Sequence, residues 1–213
     1  MGLPADSLFY GLREKMTEEQ EFFVNSVIDY NVVFSNSEAG TGKTLMSFAS
    51  LYYLYEKGEI DEILYIFSPV EEDKMGFRPG SQKEKEEAYI DPLKQAIVKV
   101  GLMPDKVLDE RYGFVKVKSH TFLRGTNQER KGIILDEAQN YKTFEMKKAL
   151  SRIHDDCHLI VIGHTGQIDL KFPQDSGFEP YLNHYAKLED KVRICPLTIN
   201  FRGWISRHAD KLN

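Results

Sequence analysis

Ten residues, Asn36–Leu45 ("NSEAGTGKTL"), constrain this chain more than any other stretch. They join a short apolar run, "NVVFS", to a long helical run, "GKTLMSFASLYYLYEKG", which Gly58 stops. A glycine-rich turn ending in Gly-Lys-Thr between strand and helix is the sequence form of a phosphate-binding loop, G-x-x-x-x-G-K-[ST]. Gly42, Lys43 and Thr44 fit the back half of that pattern, while Ser37 stands where its first glycine belongs. The loop works only if a strand leads in and a helix leads out. Successive main-chain N–H groups and the positive end of the helix dipole then face one anion. A strand feeding a helix in this way commits the chain to an α/β architecture.

The same alternation recurs downstream. "EILYIFSP", "GIILD", "HLIVIG" and "KVRICPL" read as strands, and "FVKVKS", alternating apolar with basic residues, as a half-exposed or edge strand. Helices are expected over "TEEQEFFVNSVID", with Thr17 and Gln20 as a capping box, and over "DPLKQAIVKVGL", with Pro92 near its start. Two more are expected over "KTFEMKKALSRI" and "GWISRHADKLN". Short, all-apolar strands belong in a parallel sheet covered on both faces. The expected fold is therefore a three-layer α/β domain with a mainly parallel sheet. One domain over residues 1–213 suits the length, with a leader over 1–16 and a charged surface segment over 70–92.

Three chemically loaded stretches fall at carboxyl ends of strands, where ligands of parallel sheets collect: "SEAGTGKT", "DEAQ" and "GHTGQIDL". In the first, Ser37, Glu38, Ala39, Gly40, Thr41 and Gly42 form the wrap, Lys43 reaches β- and γ-phosphates, and Thr44 offers a hydroxyl to Mg2+. In the second, Asp136 ends an apolar strand and suits the same Mg2+, and Glu137 suits orienting or deprotonating an attacking water. The histidines have no tight ligand spacing with the cysteines, so no histidine-built metal site is expected.

"GTGKT", "IILDEAQN" and "GQIDL", in that order, resemble the PhoH family, which is similar to the first motor domain of superfamily 1 helicases. The resemblance covers nearly the whole chain. "TEEQEFFVNSVIDYNVVFSNSEAGTGKT" looks like the family's opening, "MGFRPGSQKEKEEAYIDPL" like its "GFLPG" segment, and "HTFLRGTN" like its "xxxMRGRT" segment. It implies a RecA-like P-loop NTPase that binds and hydrolyses ATP with Mg2+, and a nucleic-acid partner, most often RNA. Gln20 matches the glutamine that reads adenine, and Gln167 the glutamine that senses the γ-phosphate. Arg202 in "INFRGW" resembles the arginine that helicases place near the γ-phosphate; it equally fits a surface arginine at a helix start. Arg124 and Arg207 are further candidates. The chain departs from the family at Ser37-Glu38, where Gly-Pro is usual, at His164, where an acid is usual, and at Ser68, where an arginine is usual.

A net charge of −5 argues against indiscriminate coating of nucleic acid but leaves room for a local basic groove. Lys116, Lys118, Arg124, Arg130 and Lys131 cluster with Glu129 as the one nearby acid, and read either as a contact for RNA or single-stranded DNA or as a solvated face. Phe122 among them can stack on a base or pack in the core. The leading expectation is an ATPase acting on nucleic acid. The alternative is an ATP-driven switch that binds a protein partner, and the Asp136-Glu137 pair disfavours a small-molecule phosphotransferase. Because one motor lobe is present, Arg202 acts either in its own chain or across subunits, and a homo-oligomer is expected, a ring being one form. Cys157 and Cys195 lie in apolar runs, so buried thiols and a reducing cytoplasm are expected. No run approaches the roughly 20 apolar residues that cross a bilayer, so no membrane association is expected.

Overall fold

The computed structural model describes residue 12 and residues 15–69, 82–120, 127–188 and 190–209. Helix α1 (Glu18–Asp29) opens on the expected capping box: the Thr17 hydroxyl accepts the Gln20 N–H, and the Gln20 amide oxygen accepts the Thr17 N–H. Strand β1 (Val32–Asn36), helix α2 (Lys43–Glu56), β2 (Glu62–Phe67), α3 (Gln82–Lys99) and the short α4 (Pro104–Val107) follow. Then come β3 (Val115–Ser119), β4 (Lys131–Leu135), α5 (Thr143–Leu150), β5 (His158–Gly163), α6 (Phe178–Tyr185), β6 (Val192–Ile194) and α7 (Trp204–Ala209).

All six strands lie in one parallel sheet, ordered β3-β2-β4-β5-β1-β6, with the alternating "FVKVKS" strand at an edge as expected. Successive side chains of a strand point to opposite faces, so a sheet covered on both sides requires continuous apolar runs. On β2, Ile63, Tyr65 and Phe67 join the core beneath α1, α2 and α3, whereas Leu64 and Ile66 join Met146 of α5 and Phe178 of α6 on the other side. The three-layer expectation is the architecture found. Cys157 and Cys195 are buried free thiols. Among the described residues, no helix is long and apolar enough to cross a membrane.

Helices α3 and α6 depart from the pattern reading, as does the single-turn α4. Helix α3 begins at Gln82, and Pro92 sits inside it, so the end of the 70–92 segment is helical. "QKEKEEA" consists of strong helix formers, which carry the helix up to the proline. An interior proline costs about 3 kcal/mol; burial of Leu93, Ala96 and Ile97 just beyond it offsets that cost. Helix α6 was not expected from "GFEPYLNHY". Its Pro180 falls in the first turn, where a missing N–H breaks no helical bond, and fully buried Phe178 anchors it.

Candidate functional site at the carboxyl ends of the strands

The loop after β1 turns sharply enough to put Gly40 at φ 86° and Gly42 at φ 89°, in the left-handed region that glycine adopts without steric cost. The first main-chain bond of α2 runs from the Met46 N–H to the Gly42 carbonyl. Ahead of it, the N–H groups of Gly40, Thr41, Gly42, Lys43 and Thr44 have no acceptor among the described residues. Such donors at a helix start form an anion site. Lys43 is folded back into the loop, where its ammonium donates to the carbonyls of Ser37 (2.6 Å) and Glu38 (2.9 Å). Burial holds the Lys43 pKa below its usual value; Glu137 and Asp136 oppose that shift, while the nearby Arg202 adds to it.

Ser37 has a structural task that a glycine cannot perform. Its φ is not in the left-handed region, so the position makes no demand for glycine. Its buried hydroxyl accepts the Leu197 N–H at 2.7 Å and lies 2.8 Å from the Ser35 hydroxyl. On either side, the Cys195 N–H donates to the Phe34 carbonyl (2.8 Å) and the Phe201 N–H to the Gly40 carbonyl (2.9 Å). Residues 195–201 therefore run alongside β1 and the loop, held at three levels. The Glu19 carboxylate also grips this segment, accepting the Thr198 N–H (2.6 Å) and hydroxyl (2.5 Å), and these bonds pull its pKa below the ordinary value. The segment delivers Arg202 onto the loop so closely that a Cβ on Gly40 would stand 2.5 Å from Arg202 Cγ.

Asp136 lies at the foot of the loop, fully sequestered. Its Oδ2 accepts the Thr44 hydroxyl (2.9 Å) and the Tyr65 hydroxyl (2.7 Å), and its Oδ1 accepts the Glu137 N–H (2.8 Å). Burial, followed by the neighbouring Glu137 charge, raises its pKa, and these three donors oppose the rise. Glu137 takes the left-handed conformation, φ 50° and ψ 44°, which is sparsely populated for a residue with a side chain and concentrates at functional sites. Gln139 bridges the neighbouring stretches. Its Nε2 donates to Glu137 Oε2 (2.6 Å) and to the Gln167 carbonyl (3.1 Å), and its Oε1 accepts the His164 N–H (3.0 Å). Asn140 and Asp169 exchange two further bonds, 3.2 and 2.8 Å. Ser68, at the position of the family arginine, donates its hydroxyl to the Asn140 carbonyl (3.1 Å).

A cleft of about 490 Å3 brings together Gln20, Gly40, Lys43, Thr44, Glu137 and Arg202. Gln20 is tied within the chain, since its Nε2 donates to the Thr41 carbonyl at 3.0 Å. His164 and Gln167 do not line this cleft; the Gln167 side chain is exposed, and its carbonyl meets Gln139. The basic run does not converge on the site. Arg130 pairs with Asp61 (3.1 Å) and Lys131 with Glu62 (2.9 Å) where β4 and β2 begin, the end of the sheet away from the loop. The ammonium of Lys116 donates to the carbonyls of Asp109 and Glu110, and Lys118 lies half-buried on β3. Glu62, the first residue of β2, stands in register with Lys131 of β4, and Asp61 directly precedes it; pairing with these acids neutralises Arg130 and Lys131 locally. Phe122, Arg124 and the Arg207 side chain lie outside the described residues. Sequence reasoning left Tyr65, Gln139 and Glu19 without roles. The signal for Tyr65 was a hydroxyl inside an otherwise apolar buried strand, which demands a partner.

The sequence profile of the PhoH-like protein family matches residues 14–202. A PhoH-like protein of Bacillus subtilis is 33% identical over 163 residues, covering 76% of this chain and 51% of the relative. A PhoH-like protein of Mycobacterium leprae is 30% identical over 177 residues, covering 82% and 50%. The chain thus spans about half the length of the curated relatives it matches. Among solved structures, the large terminase of the thermophilic bacteriophage D6E superposes with a TM-score of 0.59 at 14% identity, covering 91% of this chain and 49% of the terminase. Its complex with ADP superposes at 0.54, with 13% identity, covering 85% and 45%. At such identities the likeness is one of fold, a RecA-like P-loop domain.

Proposed function

The chain belongs to the PhoH-like protein family, and from that premise we propose that it binds ATP in the cleft and hydrolyses it with Mg2+, coupling turnover to RNA or another single-stranded nucleic acid. The observation that carries the reading is the bond from the Thr44 hydroxyl to Asp136 Oδ2, which joins two motifs 92 residues apart at the foot of an anion-binding loop. A hydroxyl and a buried carboxylate, both oxygen donors, form a set that suits Mg2+. When bound, that ion supplies positive charge to the phosphate oxygens.

The residues divide the work as follows. The loop N–H groups bind phosphate, and Lys43 exchanges the Ser37 and Glu38 carbonyls for phosphate oxygens. Glu137 orients a water and accepts its proton at the carboxylate, while Gln139 holds one of the two carboxylate oxygens in place. Arg202, delivered by residues of its own chain, neutralises charge in the transition state; its closeness to Gly40 supports action in cis. Gln167 reports on the γ-phosphate through Gln139, and we assign adenine to Gln20, which also secures the loop at Thr41.

Phosphate release measured with Mg2+ and ATP, with and without single-stranded RNA, tests the reading. Lys43→Ala should abolish turnover, and Glu137→Gln should retain ATP binding without hydrolysis. A Lys43→Ala protein as active as the wild type would overturn the assignment. Turnover indifferent to every nucleic acid would favour the switch that binds a protein partner.

A further inference from the structure

We infer that the outer face of α5, together with Lys171 and Phe172, is the surface on which a single-stranded nucleic acid lies; this rests on the nucleic-acid part of the reading above. The face combines two features that a solvated helix does not need. One is concentrated positive charge on a chain of net charge −5: Lys142, Lys147, Lys148 and Arg152 are all exposed. Among the described residues none of these four forms an ion pair. The one acid of α5, Glu145, is occupied by His120 (3.2 Å) and the Lys142 N–H (2.9 Å). The other feature is a pair of exposed rings, Phe144 and Phe172, each 52% accessible and each with a lysine over it: Lys148 at 4.7 Å and Lys171 at 6.0 Å.

The rings belong to one surface because the start of α5 abuts the turn after Phe172. Lys142 bridges to Ser176, and the Thr143 hydroxyl donates to the Asp175 carbonyl at 3.4 Å. Exposed rings beside exposed cations fit unstacked bases on a phosphate backbone. A duplex hides the base faces that such rings need, which favours a single strand.

The same face is mechanically joined to the hydrolytic residues. Four residues separate Lys142 from Glu137, and the turn between them carries Gln139 and Asn140. The Asn140–Asp169 exchange ties that turn to the loop leading from Gln167 to Phe172. The Tyr141 hydroxyl fixes it to the Ile66 carbonyl at 2.9 Å. A strand lying across α5 and Phe172 therefore clamps both sides of the turn that bears Glu137.

Anisotropy of a labelled single-stranded RNA, and in parallel a single-stranded DNA, tests this on the full chain across a salt series. Lys147→Glu with Lys148→Glu should weaken binding at least tenfold. It should also flatten the slope of log affinity against log salt, by about 0.7 per lost phosphate contact. Phe144→Ala with Phe172→Ala should weaken binding at least fivefold while leaving that slope intact. Both pairs should keep basal ATP hydrolysis and lose its stimulation by the strand. Lys147→Gln with Lys148→Gln checks the charge effect with less perturbation of the helix. Arg130→Glu with Lys131→Glu, equal in charge change but at the other end of the sheet, should bind like the wild type. Wild-type affinity in the α5 variants, or loss confined to the Arg130 and Lys131 variant, overturns the assignment. So does a wild-type protein that hydrolyses ATP yet binds neither strand at low salt, an outcome that points to a protein partner and leaves the ATPase reading standing. A wild-type protein that binds the strand but hydrolyses no ATP refutes that reading instead.

Discussion

Replacing Ser37 by the glycine of the general loop pattern should weaken this protein. The change deletes the hydroxyl that accepts the Leu197 N–H at 2.7 Å and lies 2.8 Å from the Ser35 hydroxyl, all in buried surroundings. A buried N–H left without an acceptor costs about 1–3 kcal/mol. Glycine adds about 0.5–1 kcal/mol of lost backbone entropy. Together these come to about 1.5–4 kcal/mol, and at about 2–4 °C per kcal/mol for a domain of this size the melting temperature should fall by about 3–16 °C. Scanning calorimetry without nucleotide measures it, with Ser37→Ala isolating the hydroxyl from the entropy term and falling in between. The Leu197 bond is also the middle of three that carry residues 195–201 toward Arg202. ATP turnover should therefore fall more than ATP affinity. A Ser37→Gly protein that melts within about 1 °C of the wild type would refute the reasoning, because the hydroxyl would then hold nothing.

Tyr65→Phe removes a donor to the ionised form of Asp136, an interaction of about 1.5–3 kcal/mol. Burial already raises this carboxyl, so the loss raises it further; the acidic limb of the hydrolysis profile should move to higher pH, and an unmoved limb would sink the assigned role. Gly40→Ala should cut turnover at least tenfold, because its Cβ would displace Arg202 and φ is 86°; Gly58→Ala, at φ 73° with nothing within 4 Å, should cost about 1 kcal/mol of stability and leave turnover alone. Glu19→Gln should lower the melting temperature slightly, by under about 1 kcal/mol in stability. The Glu19 pKa is depressed in the folded state, so its contribution is complete above the usual carboxylate range and disappears as pH falls through the folded value. The difference from wild type in pH-dependent melts should vanish in acid, and a difference that persists there would show that the carboxylate is not the cause.

Much of this molecule was legible as pattern. The continuous apolar runs of β1, β2, β4 and β5 dictated a parallel sheet covered on both faces, since any other environment would expose half of each run. Gly40, Gly42 and Lys43 identified the loop because anion binding by main-chain groups needs those residue types in sequence, and Thr17 with Gln20 identified the start of α1 because capping is local. Helix α6 was not legible, because a proline and a glycine near one end resemble a loop until buried Phe178 anchors it.

What sequence alone determined, then, was whatever depends on neighbours along the chain: strand, loop, helix, and the acid pair at the end of β4. Tertiary structure decided which distant groups meet. It set Thr44 and Tyr65 on Asp136, Gln139 between Glu137 and Gln167, and Arg202 on Gly40. It also spent the charge of Arg130 and Lys131 on Asp61 and Glu62 while leaving the lysines of α5 exposed. A hydroxyl or an ammonium has no preferred partner until the sheet fixes register and the loops close. For that reason Ser37, only a departure from the loop pattern when read along the sequence, is in the folded chain the acceptor that holds Leu197 against the loop.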